Sequence, residues 1–180
     1  MAVLASHPAH GLYSAAAFAD STLLDLSGNR RHAERTAGAV SIRTESGSGA
    51  SNVVTGLAGT TTSKMLWPAG SIPSLFTVCS VTRYDQWSST NPARYGRILN
   101  GANSPNGAAN WLHGHYAYPS DLASAKRGPV FYGDWNTRVE TTGPQVTDWL
   151  VLCGTNDVSV FDPGNIINDQ VLFQRERVLY

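Results

Sequence analysis

His113-Gly114-His115 is the sharpest chemical feature of this chain. On a β-strand, residues i and i+2 point the same way, so both imidazoles share one face. Paired imidazoles suit zinc, copper or nickel, but such a site needs a third and a fourth ligand. Asp121, Asp134 and His32 are of the right type, yet no spacing nominates one of them. The alternative is a pair of histidines hydrogen-bonded within a polar groove beside Trp111 and Tyr116, and the expectation is therefore no metal. Trp111, Tyr116, Tyr118, Tyr132 and Trp135 fall within 25 positions, interleaved with Asn110, His113, His115 and Asp134. Flat aromatic faces stack on sugar rings while Asn, Asp and His reach hydroxyls, and a concave site with a few such groups is the usual ligand pocket. The candidate ligand-binding set is Trp111, His113, His115, Tyr116, Tyr132 and Trp135. Against it stands the ordinary fate of large aromatics, in which Trp111, Trp135 and Trp149 fill the core.

Catalytic signatures are missing. A retaining glycosidase needs two carboxylates ~5–5.5 Å apart. The four glutamates are Glu34, Glu45, Glu140 and Glu176, and none has an acid two residues on. No G-x-S-x-G elbow occurs. Arg97, His113, His115 and Tyr116 supply the residue types of a uronate lyase without a pattern, so the expectation is a protein that is not an enzyme.

Composition bounds the partners. Lys and Arg total 13, as do Asp and Glu, giving zero net charge. That excludes a globally basic nucleic-acid binder, which needs cations to displace counterions from phosphate. Only 14% of residues are charged, well below the ~25% of an average domain, so the surface is suited to a covering partner or to neutral ligands. No run approaches the ~18 apolar residues of a membrane-spanning helix. No signal peptide is visible, and localisation stays open between extracellular and organellar. A length of 180 residues predicts a single domain spanning 1–180 and is enough to bury a core without staples.

The elements that must position these residues are strands. Helical turns are conceivable only at 15–19 and 120–126. Short apolar stretches separated by Gly, Pro, Asn and Ser read as an all-β sandwich. In the clearest strand, Leu75–Tyr84, Phe76, Val78, Ser80, Thr82 and Tyr84 share one face, and Leu75, Thr77, Cys79, Val81 and Arg83 the other. Both faces read as covered. Trp149–Thr155 is similar, with Trp149, Val151 and Cys153 opposed to Leu150 and Leu152. Further strands are expected at Arg97–Asn100, Trp111–Tyr116, Val130–Tyr132 and Val171–Arg175. Asn100-Gly101 and Asn106-Gly107 read as tight turns. The stretch 44–63, rich in Gly, Ser and Thr, reads as an exposed loop around a short strand at Asn52–Thr55, or as part of an edge.

A family resemblance adds to this. Leu24-Asp25-Leu26-Ser27-Gly28-Asn29-Arg30-Arg31-His32-Ala33 is similar to the W-x-D-x-S-G-N-G-x-H-A opening of many laminin-G-like, concanavalin A-like jelly-roll domains. Phe76–Tyr84, Gly96–Leu99, Asn110–Tyr116, Tyr132–Trp135 and Asp148–Asn156 resemble one branch of that family, known as predicted proteins of marine microalgae. The resemblance is strongest over 12–157 and is lost over 158–180, where Ile166–Asp169 and Val171–Arg175 are at best a remnant of the family's closing strands. It implies a jelly-roll β-sandwich of two antiparallel sheets. It also implies glycan binding on a sheet or loop rim and possible calcium, for which Asn156, Asp157, Asp162 and Asp169 are the oxygen-bearing candidates, with simple Asx turns the preferred alternative. The related glucanases carry Glu-x-Asp-x-x-Glu on one strand, which is absent here. In the resembling domains the strands of Cys79 and Cys153 share a sheet, so the sulfurs face each other where the register allows; two buried reduced thiols are the preferred reading. The functional expectation is a non-catalytic, lectin-like binding module. The alternative is a structural accessory subunit docking onto a larger cell-surface or photosynthetic assembly, and the third is a glycan lyase or hydrolase. The partner is then a glycan or a protein, with no nucleic acid and no direct membrane span.

Overall fold

A computed structural model describes residues 9–86, 97–101, 111–116, 126–132, 135–137 and 147–156, with side chains at 116, 126, 127, 129 and 135–137 outside the description. The described residues form twelve strands and no helix, and the strand pairs within both four-stranded sheets and the pair Thr77–Thr82 with Leu150–Thr155 are antiparallel. They cluster as two compact units, one of residues 1–46 and 52–74, the other of 47–51 and 75–180.

The first unit holds β1 (Tyr13–Ala19), β2 (Thr22–Asp25), β3 (Ala33–Ala37) and β6 (Lys64–Leu66), in the order β1-β2-β3-β6. It also holds most of a separate ladder, β4 (Val40–Gly47) with β5 (Ala50–Gly59). The expected helical turn at 15–19 is strand β1 instead. Alanine favours a helix only weakly, and a hairpin overrides it. Asp20 and Ser21 take φ of 49° and 72°, the two positive values of a tight two-residue turn that pairs Ala19 with Thr22. Segment 44–63 is likewise more ordered than a loop, since it supplies most of β4 and β5.

Asp25 organises this unit. The residue is 6% exposed, and its carboxylate accepts the backbone N–H groups of Leu12 at 3.1 Å, Ser27 at 2.9 Å and Arg31 at 3.0 Å. Burial opposes ionisation, but hydrogen bonds from Ser27, Leu12 and Arg31 outweigh it and hold the carboxyl well below the usual carboxylate range. The Asp25 N–H donates to His32 Nδ1 at 3.0 Å, which engages that lone pair within the turn and makes it unavailable to a metal. Arg31 donates to His10 O at 2.9 Å and Tyr13 Oη to Arg31 O at 2.7 Å, so the Leu24–Ala33 segment is a carboxylate-centred turn. Tyr13 meets Trp67 edge-on at 5.9 Å, and Leu23 and Ala33 are buried.

The second unit contains a sheet in the order β11-β10-β9-β8, from β8 (Leu99–Asn100), β9 (Leu112–Tyr116), β10 (Lys126–Phe131) and β11 (Trp135–Thr137). It also contains a ladder of β7 (Thr77–Thr82) with β12 (Leu150–Thr155). The alternation read in the sequence holds, with Leu150 and Leu152 buried against Val130 and Tyr132. The other face is not covered: Val81 is 48% exposed and Val151 38%, so β7 is buried on one side only. The Val130 strand begins earlier than expected, at Lys126, which takes the end of the proposed 120–126 helix. Asn100-Gly101 is no tight turn; Asn100 ends β8 opposite Leu112, and the Gly101 N–H donates to Trp111 O. Asn106-Gly107 and Val171–Arg175 lie outside the described residues.

Cys79 and Cys153 form a disulfide, contrary to the reduced thiols expected. The register sets them directly opposite, at a Cα separation of 4.1 Å. The bridge closes a chain loop spanning 74 positions, worth roughly 4 kcal/mol if denatured-state entropy dominates. Chemical denaturation with and without a dithiol reductant should show a stability loss of about 2–5 kcal/mol on reduction. Alkylation and mass measurement should find no free thiol before reduction.

Asp25→Asn retains shape but faces an amide –NH2 or a weaker acceptor towards three backbone donors. It should cost about 2 kcal/mol or more and lower the melting temperature by roughly 4–8 °C in a thermal scan. Since the folded carboxyl titrates below its ordinary value, the wild-type contribution is present above pH ~4 and is lost as the pH falls below that. The variant's loss should therefore shrink in acid.

Candidate functional site

The aromatic–histidine cluster of the sequence assembles around β9. Trp111 lies just before the strand and is half-buried, while Leu112, His113 and His115 have relative exposures of 1%, 0% and 0%. Gly114 has φ of +89° and Gly128, on the paired strand, +107°. The register shifts between Arg127 and Val130 while His115 and His113 hold pairing on β9, so two residues of β10 oppose Gly114 in a bulge. Glycine meets the positive φ that this irregularity demands.

Both imidazoles turn to the β7–β12 ladder, as the i, i+2 spacing predicts. His113 Nε2 lies 3.3 Å from Leu152 O and Nδ1 lies 2.6 Å from Tyr132 Oη. A carbonyl only accepts, so Nε2 carries the hydrogen and Nδ1 accepts from the tyrosine hydroxyl. His115 bonds Thr82 Oγ1 through Nδ1 at 3.1 Å and meets the Tyr84 ring edge-on at 4.8 Å.

The rings form a near-parallel group. Trp111 and Tyr132 lie 5.6 Å apart with planes 19° apart; His113 and Tyr132 lie 6.1 Å apart at 7°. Phe76, from the segment leading into β7, packs its edge on Tyr132 at 4.9 Å. Gly154 is required on the facing strand, since a Cβ there would stand 2.6 Å from Tyr132 Oη. Burial pushes the Tyr132 hydroxyl up, so it remains a donor at any ordinary pH. Burial pushes His113 down to about 4, with the Leu152 carbonyl bond opposing it more weakly.

Chemically this is a clamp in which the neutral His113 ring has both nitrogens engaged inside, whereas the buried Trp111 Nε1–H has no hydrogen-bond partner among the described residues. The histidine rings carry no exposed surface, so contact with an outside ligand falls to the half-buried Trp111 and Tyr132. The backbones of Tyr116 and Trp135 lie on β9 and β11, and their side chains are outside the described residues. Among the described residues no three of His, Cys, Asp and Glu converge on a common point. Asp121 and Asp134, the other metal-ligand candidates, lie outside the description. Of the calcium candidates, Asn156 is described: its Oδ1 accepts the Phe76 N–H at 2.8 Å, tying the end of β12 to β7. Asp157, Asp162 and Asp169 lie outside. Arg97 reaches Trp111 O at 3.5 Å.

Thr82, Tyr84, Phe76, Gly154 and the Leu152 carbonyl belong to the cluster but were not among its sequence candidates. A signal existed for three of them: Phe76, Thr82 and Tyr84 share the inward face of the strand by simple alternation. Gly154 and a backbone oxygen carry no such signal. No family model, curated protein or solved structure matches the chain.

The folded His113 takes a proton only near pH 4, whereas the unfolded ring does so near its ordinary 6.5. Its contribution is complete above that ordinary value and is lost as the pH falls towards 4, by roughly 3 kcal/mol in all. Denaturant midpoints measured across this range should fall with acid. In His113→Gln the stability should be lower at neutral pH and the slope reduced.

Proposed function

We propose that the chain is a non-catalytic interaction module, a jelly-roll-type sandwich that docks onto a protein partner through the outer face of β1–β2. The observation that carries this reading is an apolar surface group. Leu12 and Leu26 sit opposite each other across the β1–β2 pair, joined by the Leu26 N–H to Leu12 O bond of 2.7 Å. Leu24 projects from the same side of β2, two residues from Leu26. The three are 53%, 52% and 41% exposed. Single exposed leucines are ordinary; three adjoining ones on a sparsely charged chain fit the apolar centre of a contact surface. The antiparallel layers of the second unit and the Asp25-centred turn support the jelly-roll assignment. The Cys79–Cys153 bridge supports work in an oxidising compartment, where such bonds persist.

A glycan-binding reading keeps one specific observation in its favour. Trp111 and Tyr132 are stacked and half-buried, so part of each ring surface faces out. An enzymatic reading has none, because the tyrosine–histidine pair is turned inward and no paired carboxylate is present among the described residues.

The two readings separate cleanly. Leu24→Asp with Leu26→Asp alters exposed positions, so the melting temperature should hold within a few degrees. Binding of the protein partner cross-linked to this face in native extract should weaken at least tenfold, by about 1.4 kcal/mol. Trp111→Ala should leave it unchanged. Glycan-array signal abolished by Trp111→Ala and indifferent to the leucine changes would overturn the docking reading in favour of the lectin one.

A further inference from the structure

We infer that the Cys79–Cys153 bridge is a site of thiol–disulfide exchange in the folded protein, at which an outside thiol attacks the Cys79 sulfur. The place of the bridge in the β7–β12 ladder carries this. Cys79 is exposed and Cys153 half-buried. Alternation puts both on the side away from the core. Leu150, Leu152 and Gly154 are buried on the inner side, whereas Val81 and Val151, on the side of the cysteines, are 48% and 38% exposed. On that outer side the bridge is flanked by the pair Thr77 and Thr155 and by the pair Val81 and Val151. Neither strand contains an acidic residue, so no carboxylate of the ladder repels an incoming thiolate.

Opening the bridge breaks no backbone bond of the ladder. The Asn156 N–H donates to Phe76 O at 3.2 Å, which makes 76 and 156 a hydrogen-bonded pair. Such pairs alternate with open ones along an antiparallel ladder, so Cys79 and Cys153, three positions further in, are an open pair, and their Cα separation of 4.1 Å agrees. The strand register still holds the two sulfurs opposite each other once the bond is cut, so it can re-form. The step itself is a substitution at sulfur. A thiolate bonds to Cys79 Sγ as the Cys79–Cys153 bond breaks, and the electron pair leaves on Cys153 Sγ, which takes a proton from water. The products are a mixed disulfide on Cys79 and a thiol on Cys153. A second thiol then releases Cys79 and departs joined to the first as a disulfide, leaving the chain reduced by two electrons and two protons. Cys79 is the sulfur attacked because it is the more exposed of the two, and access governs such exchange.

Reduced glutathione added to the native wild type at pH ~8, with N-ethylmaleimide as the quench over a time course, tests this. Peptide mass mapping should find glutathione on Cys79 and the maleimide on Cys153. The rate should rise in proportion to glutathione concentration. It should also stay within about twofold when urea is added below the unfolding transition, as expected of a reaction that does not wait for unfolding. A rate that levels off at the rate of unfolding, or one that climbs with urea, means that the sulfurs are reached only in the opened chain and overturns the inference. Glutathione found mainly on Cys153 overturns it as well. Leu24 and Leu26 take no part in the step, so this test and the docking test fail independently.

Discussion

The second unit depends on one neutral ring. His113 has no exposed surface, and its two nitrogens are both engaged, one towards the Leu152 carbonyl on β12 and one towards the hydroxyl of Tyr132, just after β10. A buried imidazole without partners would be expensive, since each unsatisfied polar group costs about 1–3 kcal/mol. With both nitrogens engaged it becomes a specifying contact: only one ring orientation and one tautomer satisfy the carbonyl and the hydroxyl together. Trp111 and Phe76 then pack around Tyr132, and Gly154 leaves its hydroxyl room. The bulge at Gly114 and Gly128 sits where the chain must hold His113 and His115 towards the same ladder despite the irregular pairing.

Asp25 solves the opposite problem in the first unit. A neutral ring is cheap to bury and needs two partners; a carboxylate is costly to bury and takes three backbone donors before the balance favours the charged form. Those donors come from Leu12, Ser27 and Arg31, so the anion draws the approach to β1, the turn after β2 and the approach to β3 to one point. In each unit a single polar side chain links segments that strand pairing alone would leave loosely related.

The sequence made the strands of the second unit legible because their alternation is strong. The sequence sorts Leu75–Tyr84 and Trp149–Thr155 into two faces each by period two alone, and the face of Leu150 and Leu152 is the buried one. It misjudged coverage, because apolar residues on both sides of β7 suggest burial on both, and Val81 is nevertheless exposed. It missed β1, where Ala15, Ala16 and Ala17 carry a helical preference that a two-residue turn at Asp20-Ser21 overrides. The cysteines were ambiguous for a different reason: alternation sets which face a sulfur occupies, whereas bonding depends on register, and register is a property of two strands that neither encodes by itself. The histidine pair was legible as a pair sharing a face. Its partners were less so, because a backbone carbonyl and a glycine without a side chain give no chemical signature.

The inward turn of the imidazoles bears directly on what the surface does. Chemistry on an outside substrate needs polar groups that are both poised and accessible. Here the most perturbed groups, His113, Tyr132 and Asp25, are those most committed to bonds within the chain. For His113, Tyr132 and Asp25, the perturbation goes with hydrogen bonds made inside the fold. Among the described residues, the outward side chains include the leucines at positions 12, 24 and 26 in and beside β1 and β2. Under the docking proposal, an apolar surface of that kind is what a protein partner would cover.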